Sequence, residues 1–173
     1  MTQLFSILLT LAAVLTALPA SAQTLWRETT IGMSPAQVKA RVPEATTVSG
    51  ERGTLNDGEV ELLRVEQFEL LNEAFSASFF FKDKKLAQVT LTLREQMTFP
   101  SALRLFEALS EALTVRYGRA ISSSITETPF KEASASWQSG RTNISVLAMS
   151  VVKGHLVFNV SYQIRLAAEA RKL

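Results

Sequence analysis

The chain has 173 residues, 18 Lys and Arg against 16 Asp and Glu, a net charge of +2, 47% hydrophobic residues with ten Phe, and no Cys. The near-balance of charge argues against nucleic acid, which requires a clustered basic face. With no thiols, disulfides and thiolate chemistry are excluded, and an apolar core must hold the fold by itself.

The first stretch, MTQLFSILLTLAAVLTALPASAQ, is apolar from about Leu4 to Leu18, meets Pro19 and ends in Ala20-Ser21-Ala22. That is the small-x-small pattern of a secretory signal peptide, with cleavage expected between Ala22 and Gln23. No Lys or Arg lies in this segment, so the amino terminus alone supplies its positive end. A membrane span competes with this reading, but Pro19, Thr10 and Thr16 leave less than the roughly 20 apolar residues a span needs. The expectation is a signal peptide over 1–22, a single domain over 23–173, a periplasmic or secreted location and no stable membrane anchor.

The stretch IGMSPAQVKARVPEA, from Ile31 to Ala45, carries the signals of a helix start. Ser34 suits the N-cap, Pro35 the first helical position, and Gln37 stands where a capping-box partner reaches back. Met33 and Val38 are spaced for a hydrophobic staple, and Pro43 ends the helix by pushing Val42 away from helical dihedrals. Thr46 and Val48 suggest a first strand, and Ser49 to Gly58, rich in Gly, reads as a turn. Val60 to Leu71 is rich in β-formers. Phe75, Ala77, Phe79 and Phe81 alternate with Ser76 and Ser78, and Ala87, Val89, Leu91 and Leu93 alternate with Gln88, Thr90 and Thr92, which predicts a hairpin closed by Lys82-Asp83-Lys84-Lys85.

From Ser101 to Tyr117 the period changes: Phe106, Leu109, Leu113 and Tyr117 mark one helical face, with Gly118 placed to end it. Strands are expected near Ala133 to Gln138, Thr142 to Val151 and His155 to Ile164, and a helical tail over Leu166 to Leu173. Both halves thus follow one order, a helix, a first strand, a turn-rich stretch and a long hairpin, which suggests repeats over 31–95 and 98–165. A single sheet that happens to contain two helices is the alternative. The fold class expected is α+β, with two helices packed on antiparallel sheet.

The stretch IGMSPAQVKARVPEA resembles the G-M-[ST]-x-x-Q-V element of small bacterial envelope domains of two kinds, and FFFKDKKLAQVTL resembles the F-x-x-G-K-L-x-x-V hairpin that follows it there. One kind is the SmpA/OmlA type, a small lipoprotein of the outer-membrane β-barrel assembly machine. The other is the β-lactamase inhibitory protein type, in which a helix-and-sheet unit occurs twice. Gly32, Met33, Gln37, Val38, Phe81, Lys85, Leu86 and Val89 carry the likeness, which covers roughly residues 31 to 93. Lys84 replaces the usual turn Gly, and the chain has neither the acylated Cys of the first kind nor the disulfides of the second. The resemblance implies fold and envelope location and transfers no functional residue.

No reactive cluster is legible. His155 is the one histidine and reads as an exposed hairpin residue. The Ser and Thr residues between Ser122 and Ser136 contain no nucleophile elbow and read as strand edge and loop. Asp57, Glu59 and Glu61 alternate, and on a strand that spacing places them together on the wet face; Glu66 and Glu73 are looser still. Lys82, Lys84 and Lys85 read as a solvated turn that discourages edge pairing. Phe80, between Phe79 and Phe81, must point across the sheet, where with Trp137 or Leu147 it would line a groove if that face were open. The function expected is a non-catalytic binding or scaffolding module of the bacterial envelope, with an envelope protein as partner, no cofactor and no metal. The alternative is a carrier of a small apolar ligand or lipid between helix and sheet.

Overall fold

The structure, a computed structural model, describes residues 24–151 and 154–164. The expected signal peptide and the tail expected over Leu166 to Leu173 lie outside the described residues. In chain order the elements are α1 (Pro35–Arg41), β1 (Thr46–Thr47), β2 (Val60–Leu70), β3 (Glu73–Lys82), β4 (Lys85–Leu93), α2 (Phe99–Tyr117), β5 (Ser122–Thr126), β6 (Glu132–Ser139), β7 (Thr142–Ser150) and β8 (Leu156–Ile164). The fold is α+β with the sheet dominant. Its eight strands lie in the order β1-β2-β3-β4-β8-β7-β6-β5, and every neighbouring pair is antiparallel.

The helix start at Ser34 forms as its chemistry dictates. Ser34 Oγ accepts from the Gln37 N–H at 3.3 Å, and Gln37 Oε1 accepts from the Ser34 N–H at 2.8 Å, closing the capping box. The two residues before the cap are pinned to the sheet: the Gly32 N–H donates to the Leu86 carbonyl at 2.9 Å, and the Leu86 N–H donates to the Met33 carbonyl at 2.8 Å. The G-M-S element therefore fastens α1 to the start of β4, while Val38 and Val42 are buried in the core.

α2 begins two residues before the expected Ser101. Thr98 is its N-cap, accepting from the Ser101 N–H at 3.4 Å, and Pro100 sits in the first turn, where a missing N–H leaves nothing unpaired. Phe99, Ala102, Leu105, Phe106, Leu109 and Leu113 are its buried stripe, and the helix touches β6 and β7. At its end Gly118 has φ +84° and ψ −167°, a region that only glycine occupies without strain.

Alternation sorts the strands into two faces. Leu63, Val65, Phe75, Ala77, Phe79, Val89, Leu91, Ala133, Ala135, Trp137, Ile144, Val146, Phe158, Val160 and Tyr162 are buried with the helices in one cluster. An aromatic chain runs through it: Trp26 lies 4.9 Å from Phe68 and 5.9 Å from Phe79, Phe68 lies 6.1 Å from Phe75, and Phe75 meets Phe158 edge-on at 6.2 Å. Arg27 stacks on Trp26 at 4.3 Å and pairs with Glu44, so the segment before α1 covers the β2 end of the core.

Candidate binding face

The opposite face of the sheet is lined by the other member of each alternating pair, and most of these side chains are half-buried along β4, β8, β7 and β6. Following the register from one edge to the other, Thr46 pairs with Arg64, Arg64 with Ser78, Ser78 with Thr90, Thr90 with Ser161, Ser161 with Ser145, Ser145 with Ser136, and Ser136 with Ser122. One straight row thus crosses all eight strands, and every member but Arg64 carries a hydroxyl. The flanking rows are neutral where they cross the sheet centre: Gln88, Gln163 and Asn143 on one side, Thr92, Asn159 and Leu147 on the other. Ser and Thr hydroxyls and Asn and Gln amides both donate and accept, so this surface suits directional bonding to an uncharged or mixed polar partner.

Arg64, the exception in the row, is bound by its own chain. Its Nε and Nη2 each donate to the Glu61 carboxylate at 2.7 Å, and the Gly53 N–H donates to Glu61 Oε2 at 3.2 Å. Glu61 is only 2% exposed. Burial pushes its pKa up, but the hydrogen bonds from Arg64, Ser78 and Gly53 and the guanidinium charge outweigh that and hold it below the usual carboxylate range.

The expectation that Asp57, Glu59 and Glu61 share a wet face is corrected here. Glu59 and Glu61 are both buried, because residues 53 and 54 pair back along this end of β2, where the Glu61 N–H donates to the Gly53 carbonyl at 2.9 Å and Thr54 bridges Val60. A bulge between Glu61 and Leu63 then inserts one extra residue, so Glu61 stands opposite Phe80 on the hydroxyl face while Leu63 stands opposite Phe79 in the core. The bulge thus leaves Glu61 on the hydroxyl face, and it is the returning 53–54 segment that buries it there.

Phe80 does point across the sheet as its place between Phe79 and Phe81 requires, but it is only 8% exposed. Its ring lies against Gly53, where an added Cβ would stand 3.2 Å from both Phe80 Cε1 and Glu61 Oε2. Trp137 lies on the other face, 1% exposed, its Nε1 donating to Thr114 Oγ1 of α2 at 3.3 Å. Leu147 is half-buried on the hydroxyl face, with β4 and β8 between its strand and that of Phe80. The structure does not bring Phe80, Trp137 and Leu147 into one groove. Strand parity separates Trp137 from the other two, since it pairs with the buried Ile144.

At one end of the β4–β8 seam the face opens into a cleft of about 510 Å³, walled by Leu55, Asp57, Lys82, Lys85, Gln88 and Gln163 among others. Lys82 Nζ donates to the Asp57 carbonyl at 3.0 Å, tying the cleft wall to the β3–β4 turn. His155 is exposed in the connection between β7 and β8 and is not part of that lining. Ser122, Ser123, Ser124 and Thr126 form the exposed edge strand β5, with Ser122 and Ser136 hydroxyls 2.6 Å apart. Among the described residues there is no group of three or more His, Cys, Asp or Glu arranged to hold a metal ion, and no helix long and apolar enough to cross a membrane.

The hydroxyl row is the feature the residue-by-residue reading missed. Its signal was present as polar alternation in Ser76-x-Ser78, Gln88-x-Thr90-x-Thr92 and Asn159-x-Ser161-x-Gln163, but only the strand order aligns these segments. Comparison with protein-family models, curated proteins and solved structures finds no match to this chain.

Proposed function

We propose that the protein is a non-catalytic binding or scaffolding module of the bacterial envelope, exported by the signal peptide over residues 1–22 and acting by protein contact through the hydroxyl face of its sheet. The observation that carries the reading is the uncharged row from Ser78 through Thr90, Ser161 and Ser145 to Ser136, half-buried yet reached by solvent across five neighbouring strands. Ser, Thr and Asn surfaces bond adaptably and tolerate trapped water, as polar protein interfaces do, and the cleft beside Gln88 and Gln163 offers one recess for a protruding partner side chain.

The two halves fit one ancestral helix-plus-sheet unit, the arrangement the β-lactamase inhibitory protein type carries twice. What supports this is the two-fold exchange of β4 with β8, centred on the Thr90–Ser161 pair. The same exchange carries β1–β4 onto β5–β8 in the strand order, and each half opens with a hydroxyl-capped helix bearing Pro in its first turn.

The test is affinity capture from native envelope followed by mass spectrometry, with the wild-type protein and three variants. Ser161→Arg, at the centre of the row, is expected to abolish capture, whereas His155→Ala and Glu107→Arg on the outer side of α2 retain it. A partner held equally by Ser161→Arg would refute the use of this face. Phe80→Asp is no substitute, because a buried ring is lost with it.

A further inference from the structure

We infer that β5 is a self-pairing edge through which two copies of the chain associate, joining their sheets antiparallel. Its physical basis is independent of the hydroxyl face. A free strand edge presents unpaired N–H and C=O groups, and proteins ordinarily blunt it with charge, Pro, bulges or shortness. The β1 edge is blunted in that manner: it is two residues long, and Lys39 Nζ binds Thr47 Oγ1 at 2.8 Å. β5 is not. All five of its residues, Ser122 to Thr126, are exposed and uncharged, and its pairing with β6 is unbroken in register.

The sequence around β5 is complementary to its own reversal. Reading outward from Ser123, Ser122 answers Ser124, Ile121 answers Ile125, Ala120 answers Thr126, and Arg119 answers Glu127. Two copies paired antiparallel about Ser123 would therefore set each Ile121 opposite the partner copy's Ile125 and each Arg119 level with the partner copy's Glu127, both twice by symmetry. A shift of the pairing centre by one residue, to Ser124, would set Ile121 opposite Glu127 and lose both matches, so the side chains select one register. Ile121 lies one residue before β5, its N–H donating to the Ser136 carbonyl at 2.8 Å, and strand parity puts Ile125 on the helix side, beside the buried Ala133. The two isoleucines are 63% and 50% exposed, and Phe130 in the β5–β6 turn is 69% exposed at the same edge. α2 contacts β6 and β7, so the core's apolar layer continues one strand further than the helix that covers it. Among the described residues neither Arg119 nor Glu127 forms an ion pair.

Edge pairing of this length makes a small interface, so dimerisation is expected with a Kd on the order of tens to hundreds of micromolar. Sedimentation equilibrium of the purified protein from about 10 μM to about 1 mM reads that range directly. Arg119→Glu and Glu127→Arg, each alone, set like charges opposite at both ends of the pairing and should weaken self-association on the order of tenfold. Mixing these two single variants restores both ion pairs, so the mixture should form a heterodimer tighter than either homodimer. The double swap should self-associate like the wild type. Ile125→Lys, at a half-exposed position, should be monomeric while keeping the wild-type circular dichroism. A wild-type protein that stays monomeric throughout the range overturns the inference, and so does a dimer indifferent to the single charge reversals or one that mixing the variants fails to restore.

Discussion

Replacing Arg64 with Ala would strand the Glu61 carboxylate. The change removes two charge-assisted hydrogen bonds of 2.7 Å and leaves the Gly53 N–H at 3.2 Å and the Ser78 hydroxyl, neither of them charged. Breaking a buried pair by deleting one partner costs about 3–5 kcal/mol, because the other charge stays desolvated. The Arg64 side chain is 31% exposed, so water entering the vacated space recovers part of that, and we expect a loss of about 2–4 kcal/mol. For a domain of this size that lowers Tm by roughly 5–12 °C. The pH dependence carries a second signature. In the wild type the depressed Glu61 contributes stability that is complete above the unfolded glutamate value near about 4.3 and is lost as pH falls through its lower folded value. In Arg64→Ala, burial is no longer balanced by the guanidinium, Glu61 titrates high, and the variant's deficit should narrow between about pH 7 and about pH 5. Urea unfolding of both proteins at the two pH values measures this. A loss below about 0.5 kcal/mol, or a deficit identical at both pH values, would refute the argument that Glu61 is held by Arg64.

Gly118→Ala should cost about 1–3 kcal/mol in denaturant unfolding, and the cost would be purely conformational, because nothing lies within 4 Å of the added Cβ. Lys84→Gly should stabilise by about 1 kcal/mol, since Asp83 and Lys84 have φ of +49° and +60° and Asp-Gly is the preferred pair for such a two-residue hairpin turn; an unchanged Tm would argue that the turn carries no strain. Tyr162, pushed up to about 12 by burial and by the neighbouring Tyr117 against the opposing charge of Arg116, should remain neutral well past the ordinary tyrosine range in an ultraviolet titration. Its raised value means that the stability it contributes is complete below the unfolded value near about 10 and is lost as pH rises through about 12, and Tyr162→Phe should remove that alkaline component.

The helices and the long strands were legible because their signals are local. Capping at Ser34, the Pro43 stop, the Phe75 to Phe81 alternation and the Leu156 to Ile164 alternation each sit within a few residues, and the observed elements fall on them. β5 is legible only as strand edge within the Ser122 to Ser136 stretch and without bounds, because Ser122-Ser123-Ser124 has no apolar period; a strand paired with β6 on one side only needs none. The candidate site was less legible than the fold. The return of residues 53 and 54 over the start of β2 is a contact that alternation does not encode, so the spacing of Glu59 and Glu61 points to water while the structure buries both, Glu61 in an ion pair with Arg64. Trp137 was grouped with Phe80 because aromatic residues look alike without a register, whereas its pairing with Ile144 places it under α2. The hydroxyl row depends on β4 lying beside β8, a contact between distant parts of the chain that no local pattern encodes.

That β4–β8 seam also constrains how the molecule is made. A polypeptide emerging amino end first completes β2, β3 and β4 early, yet the outer side of β4 stays bare until β8 arrives, after α2 and three other strands have formed. During that interval the nascent chain exposes a nine-residue strand edge carrying Leu86, Val89, Leu91 and Leu93 to any passing partner. Folding is therefore expected to be late and all at once, gated by the last strand, and a truncated product ending before Leu156 should aggregate rather than persist as half a protein.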